Sequence, residues 1–111
     1  MGQPRSSELL QGTLPLIVLR ILLAGHNHGF AIARRIETIS KDVLHAEEGS
    51  LYPALHKMEL EGWIDSEWGV TENNRKAKYY RLTAKGRKQL KLETERWNLI
   101  AGAIAAILLE A

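Results

Sequence analysis

Apolar residues recur at helical spacing through the first half of the chain, which predicts three short helices. The first runs from Thr13, a suitable N-cap, to about residue 24, with Pro15 tolerated in its first turn and Gly25 ending it. A second covers residues 30–39, and a third lies between Ser50 and Gly62. The stripe of the second helix is Ile32, Ile36 and Ile39.

The third helix has an apolar stripe of its own and a proline close to its start. Leu51, Leu55 and Met58 fall at i, i+4 and i+7, on one face. Ser50 is the predicted N-cap, which places Pro53 in the first turn, where its missing N–H costs nothing. The opposite face is polar, which raises the question of what this face of the helix binds.

Alternation of apolar and polar residues after Gly62 predicts two strands. The predicted strands are residues 63–70 and 77–82. The segment Glu72-Asn73-Asn74 between them favours a turn, since asparagine tolerates positive φ. We expect Trp63 and Trp68, at the base of this hairpin, to be core residues.

The last predicted helix begins after Thr83, its N-cap, and extends to the C-terminus. An apolar stripe recurs every seven residues along it, in a helix too long for so small a domain. Burial against a second copy of the chain is therefore expected. The predicted dimer-interface residues are Leu90, Trp97, Ile100, Ala101, Ile104, Ile107 and Leu108.

Three helices followed by a two-stranded β wing are typical of a winged helix-turn-helix in a mainly α fold. In that architecture the polar face of the third helix enters the DNA major groove. We expect a flexible N-terminal tail at 1–8, the DNA-binding domain at 9–82 and a C-terminal dimerisation helix at 83–111.

The composition agrees with this interpretation and excludes disulfide bonds and thiolate metal sites. The 111 residues are 45 % apolar and 25 % charged, as in ordinary globular domains, and they include no cysteine. We expect no signal peptide, because residues 1–7 are polar, and the apolar run at 99–109 is too short to span a bilayer. We expect a soluble, cytoplasmic, nucleoid-associated protein.

Charge is distributed unevenly although the net charge is only +2. Eight basic residues and no acid lie between Asn73 and Leu92, on the predicted wing and the start of the last helix. A solvated charged face is the simpler explanation of such a block, but its place on the wing favours DNA. The candidate DNA-binding residues are Ser50, Tyr52, Pro53, His56 and Lys57 on the third helix, and Asn74, Arg75, Lys76, Lys78 and Arg81 on the wing.

Four segments resemble the PadR family of bacterial transcriptional regulators, especially its short members with a single C-terminal helix. They are LLQGTL (9–14), HGFAIARRI (28–36), GSLYPALHKMELEGWI (49–64) and KYYRLTAKGRKQL (78–90). Tyr52 matches the family tyrosine, which looks like a phosphate contact. Phe30 stands where relatives usually carry tyrosine, so a contact made by that hydroxyl is in doubt here.

The resemblance implies a homodimeric repressor that binds a palindromic operator near its own or neighbouring genes. It also implies release by a small, often aromatic, effector. Trp97 is a candidate for the effector pocket, with simple interface packing as the alternative.

Other classes of function have little support in the sequence. No nucleophile–base pair or phosphate-binding glycine loop indicates an enzyme, and we expect no cofactor. His26 and His28, two apart in a turn, lack the further ligands of a metal site. The alternatives left open are a winged-helix protein-interaction module whose basic wing binds an acidic partner, and peripheral membrane attachment through the apolar tail, though we expect no membrane partner.

Overall fold

The structure, a computed structural model, describes residues 12–110, so the predicted tail at 1–8 lies outside the described residues. The order of elements confirms the mainly helical, winged-helix fold. The elements are α1 (Leu14–Leu23), β1 (Asn27–His28), α2 (Gly29–Ile39), α3 (Glu48–Leu60), β2 (Ile64–Val70), β3 (Lys76–Leu82) and α4 (Ala84–Glu110).

The core lies between α1, α2, α3 and one face of the sheet. Leu51, Leu55 and Met58 are all fully buried, which confirms the stripe predicted for α3. Ile32 and Ile36 of α2 are buried as well, whereas Ile39, at the end of the same apolar stripe, is 60 % exposed. It is the last residue of α2, where the chain turns away from the core.

The start of α3 differs from the prediction. Glu47, in extended backbone, is the N-cap, and its carbonyl accepts hydrogen bonds from the backbone N–H groups of Ser50 and Leu51 (3.0 and 2.8 Å). The prediction that Ser50 caps this helix is therefore wrong, and Pro53 lies inside the helix. Pro53 leaves the Gly49 carbonyl without its helical donor, at an exposed position where water can replace it.

The sheet has three strands in the order β1-β3-β2, one more than predicted. Asn27 and His28 pair with Tyr80 and Tyr79 in a segment that we predicted as a turn. His28 also caps α2, because its Nδ1 accepts a hydrogen bond from the Ala31 N–H (3.3 Å). A two-residue strand is too short to show an alternating pattern, which explains why the sequence did not reveal it.

Strands β2 and β3 form the predicted hairpin, which we call the wing. Its register runs from Ile64 opposite Leu82 to Val70 opposite Lys76. Asn74 adopts positive φ (61°) in the connecting turn, in agreement with the turn prediction. Trp63 packs partly buried against the core as expected, whereas Trp68 is 67 % exposed, so the expectation that Trp68 is a core residue is wrong.

The wing joins α4 at a junction made by Thr83. The Thr83 hydroxyl accepts a hydrogen bond from the Gly86 N–H (3.0 Å), which confirms the predicted cap. The same hydroxyl donates to the Gly62 carbonyl (2.6 Å), with the Trp63 carbonyl 3.0 Å away. A Cβ at position 86 would overlap the Trp63 carbonyl oxygen, so a glycine is needed there.

Beyond its first turns α4 extends away from the core. Leu90 is buried within the core of its own chain, whereas later apolar side chains on the helix are exposed. Within residues 12–110 the structure contains no helix long and apolar enough to cross a membrane. The exposed large apolar residues of this part are Leu92, Trp97, Leu99, Ile100, Ile104, Ile107, Leu108 and Leu109.

An ion pair connects α2 to the segment that leads into α3. His45 Nδ1 lies 3.0 Å from Glu37 Oε2. The hydrogen bond to Glu37 raises the pKa of His45 above its ordinary value of 6.5, against a smaller opposing effect of desolvation. The imidazolium form is therefore favoured in the folded state.

Replacing Gly86 by alanine should lower the free energy of unfolding by about 2 kcal/mol or more, because the added methyl must push α4 away from Trp63. Gly49→Ala in α3 is the matched control, since nothing lies within 4 Å of its added Cβ. That substitution should stabilise the protein by about 0.5–1 kcal/mol. Urea denaturation measures both, and equal midpoints for the two variants would contradict the close packing at Gly86.

Stability should depend on pH through His45. A raised folded-state pKa gives a stabilisation that is fully present below pH 6.5 and is lost as pH rises through the folded-state value. Denaturation of wild type and His45→Gln should therefore differ at about pH 5.5 and converge at about pH 9. His56→Gln, an exposed substitution on α3, is the control. A His45→Gln difference that grows with pH would contradict the assignment.

Candidate nucleic-acid interface

An open groove of about 1340 Å³ separates α2 and the start of α3 from the distal half of the wing. We call it the wing groove. Its helical side carries Phe30, Arg34, Arg35, Thr38, Glu48 and Tyr52, and its wing side carries Trp68, Thr71, Glu72, Asn73, Arg75, Lys76 and Lys78.

The pleat of the wing explains why one strand face changes role along its length. Alternate residues of a strand share a face, and Ile64, opposite Leu82, begins the face that also holds Tyr80. Ile64 and Tyr80 are buried against the helices. Further out, beyond the helices, the same face carries Trp68 opposite Lys78, and both line the groove.

Trp68 and Lys78 contact each other across the two strands. The Lys78 Nζ lies 5.9 Å from the centre of the Trp68 ring, a cation–π distance. This contact holds the ammonium group at the wall of the wing groove while leaving it in solvent. The exposed Trp68 side chain thus helps to position the positive charge of Lys78 on the wing.

Tyr52 projects from α3 onto the first turn of α2, where a glycine makes room for it. A Cβ at position 29 would lie 2.7–2.9 Å from the Tyr52 ring and hydroxyl. Gly29 therefore lets the Tyr52 ring and hydroxyl come close to the helix start, and Tyr52 remains 42 % exposed in the groove. Its hydroxyl is available there as a hydrogen-bond donor.

A partly buried polar contact connects α3 to the sheet. The Ser66 hydroxyl donates to Glu59 Oε2 (2.6 Å). Burial raises the pKa of Tyr80, with smaller contributions from the neighbouring Glu59 and Tyr52. Tyr80 is therefore a neutral phenol, and it forms part of the lining of the wing groove beside Tyr52.

Charge pairing separates the basic residues of the wing into two groups. Arg81 and Lys78 lie on different faces of β3. The Arg81 Nε donates to Asp65 Oδ1 (2.7 Å). That hydrogen bond raises the pKa of Arg81. Among residues 12–110 the ion pairs involve only Arg81 and His45 as cations, so Arg75, Lys76 and Lys78 have no carboxylate partner there.

The structure brings together four of the ten residues predicted to bind DNA. Tyr52, Arg75, Lys76 and Lys78 all line the wing groove. The remaining α3 candidates do not line the groove; Pro53, His56 and Lys57 are exposed and Ser50 is partly buried. Asn74 is exposed at the wing turn, and Arg81 points from the other face of the wing.

Sequence reasoning missed the contribution of α2. Arg34 and Arg35 are exposed and face the wing across the groove, together with Phe30, which is 61 % exposed. They lie outside the Ile32/Ile36 stripe, so the helical pattern already marked them as surface residues. No pattern along the chain indicates that this surface faces the wing.

Comparison with known proteins identifies the family of this chain. A family model described as the transcriptional regulator PadR-like family matches residues 18–92. The chain belongs to the PadR-like family. Members of this family are DNA-binding transcriptional regulators rather than enzymes, which agrees with the sequence prediction.

Among residues 12–110, no three His, Asp or Glu side chains are grouped to hold a metal ion.

Several PadR-like structures and one further relative match most of this chain. A transcriptional regulator from Clostridium thermocellum is 29 % identical, covers 89 % of this chain and 96 % of its own, and superposes with a TM-score of 0.81. A PadR-like transcriptional regulator from Bacillus cereus is 26 % identical, with coverages of 94 % and 98 % and a TM-score of 0.77. An uncharacterized protein from Lysinibacillus sphaericus is 28 % identical over 91 residues, which are 82 % of this chain and 84 % of that protein.

Proposed function

We propose that this PadR-family chain is a homodimeric repressor that binds a palindromic operator near its own or neighbouring genes. The observation that carries the DNA part is the wing groove, where unpaired cations of the wing face α2 and the start of α3. The polar face of α3 enters the major groove, and the wing binds the flanking backbone.

In this proposal the residues have different tasks. Lys76, Lys78 and Arg75 bind phosphates, which positions the protein without reading sequence. Tyr52 donates its hydroxyl to a phosphate beside them. His56 and Lys57, exposed on α3, are the side chains that reach base edges or the adjacent backbone.

The apolar surface of α4 supports the homodimer. Trp97, Ile100 and Ile104 are 47 %, 42 % and 51 % exposed, so a continuous apolar stripe meets water in the single chain. Its heptad-like spacing suits packing against the same helix of a second copy. Ala101, Ile107 and Leu108 complete the proposed interface, while Leu90 supports α4 from inside its own chain.

Trp97 is also the proposed effector contact. A flat aromatic molecule stacked on this side chain within the dimer interface would change the geometry of the two α4 helices. Such a ligand lowers DNA affinity only by favouring a dimer whose recognition helices are spaced wrongly for half-sites roughly 10 bp, or a multiple, apart.

Fluorescence anisotropy on DNA from directly upstream of the gene, with a scrambled duplex as control, tests the DNA proposal. Wild type should bind the upstream duplex more tightly and with a steep salt dependence. Lys76→Ala should weaken binding to both duplexes alike and lower the salt slope by about one. Arg87→Ala, which removes an exposed charge on α4 outside the wing groove, should leave the slope unchanged. Failure of wild type to bind either duplex at low salt would favour an acidic protein partner instead.

Ile104→Asp should convert the dimer to monomers in sedimentation, because a carboxylate would be buried in the apolar interface. Ala106→Asp adds the same charge on the opposite side of α4 and should leave the dimer intact. Both positions are exposed in the single chain, so both variants should fold. A wild-type monomer, or equal behaviour of the two variants, would contradict the interface. Quenching of the dimer's tryptophan emission by an aromatic carboxylate tests the effector contact, since quenching at Trp97 should be lost in Trp97→Phe, whereas Trp63 and Trp68 are present in both proteins.

A further inference from the structure

Two arginines of α2 face the wing across the groove, and the proposed contacts of α3 and the wing do not use them. Arg34 and Arg35 are exposed and line the wing groove. Within residues 12–110 neither forms an ion pair, whereas Arg81 is held by Asp65. Two adjacent cations without a partner therefore stand opposite Lys76 and Lys78.

Charge makes the wing groove a site for a polyanion. Five cations line it, three on the wing and two on α2, and only Glu48 and Glu72 offset them. Cations on both walls place positive charge on two sides of whatever enters. A phosphodiester strand carries one negative charge per nucleotide and matches such a two-walled cleft better than a single anion does.

The apolar side chains of the groove fit the same ligand. Phe30 on α2 and Trp68 on the wing are 61 % and 67 % exposed, one on each wall. Deoxyribose rings alternate with phosphates along a strand and present apolar faces that such side chains can contact. A groove for simple ions would gain nothing from two exposed aromatic rings.

We infer that Arg34 and Arg35 bind backbone phosphates of a DNA strand that lies in the wing groove between α2 and the wing. This inference rests on the proposed DNA-binding function. It adds α2 as a second phosphate-binding wall, so the strand is held from two sides rather than flanked by the wing alone.

The test is the salt dependence of anisotropy for Arg34→Ala/Arg35→Ala on the upstream and scrambled duplexes. The slope of log affinity against log salt should fall by about two, equally on both duplexes, because phosphate contacts carry no sequence information. Arg34→Lys/Arg35→Lys should retain most of the slope, since charge rather than shape is responsible. Arg87→Ala/Lys88→Ala on α4 removes the same charge outside the groove and should keep the wild-type slope.

Removal of a negative charge from the groove provides a second check. Glu72→Gln removes a carboxylate from the groove and should tighten binding to both duplexes, an effect that misfolding cannot imitate. An unchanged slope in Arg34→Ala/Arg35→Ala, alongside a reduced slope in Lys76→Ala, would overturn the inference and leave the DNA proposal intact. Loss of discrimination between duplexes at constant slope would also overturn it. Absence of wild-type binding would overturn both.

Discussion

The junction at Thr83 and Gly86 is the constraint on which the rest of the molecule depends. One hydroxyl caps α4 and also donates to the Gly62 carbonyl at the end of α3, while Gly86 lets α4 approach the Trp63 backbone. The end of α3, the base of the wing and the start of α4 are thereby fixed to one another. Together with the packing of Leu90 in the core, these contacts set the orientation of the exposed stripe of α4 relative to α3. In the proposed dimer, a change in the arrangement of the two α4 helices would therefore move the α3 helices with it.

The wing groove arises because the hairpin is longer than the layer of helices that covers it. Near its base, the inner face of the wing completes the core through Ile64 and Tyr80. Farther out, the same alternation places Trp68 and Lys78 over open space in front of α2. One continuous strand face thus contributes both to the core and to the lining of the wing groove. Arg81, on the other face, is neutralised by Asp65, which concentrates the unpaired positive charge on the groove side.

The sequence predicted those features that depend on neighbours within one helical turn or one strand pair. The Leu51/Leu55/Met58 stripe, the Thr83 cap and the turn at Asn74 are of this kind, and all are present. The start of α3 was misplaced because the extended backbone of Glu47, and not a serine side chain, caps it. Trp68 was expected in the core, and it does share a strand face with the buried Ile64, but local patterns do not show where the helices stop covering that face. Arg34 and Arg35 could not be recognised because their position opposite the wing is a property of tertiary structure.

We propose that α2, α3 and the wing form one surface for duplex DNA, while the exposed stripe of α4 packs against a second copy of the chain. Titration of isotopically labelled protein with the upstream duplex, followed by backbone amide NMR, tests it most directly. The largest chemical-shift changes should map to residues 30–38, 52–57 and 68–78, with little change at 99–109. Changes confined to α4, or no change with DNA together with large changes on adding an acidic protein, would contradict it.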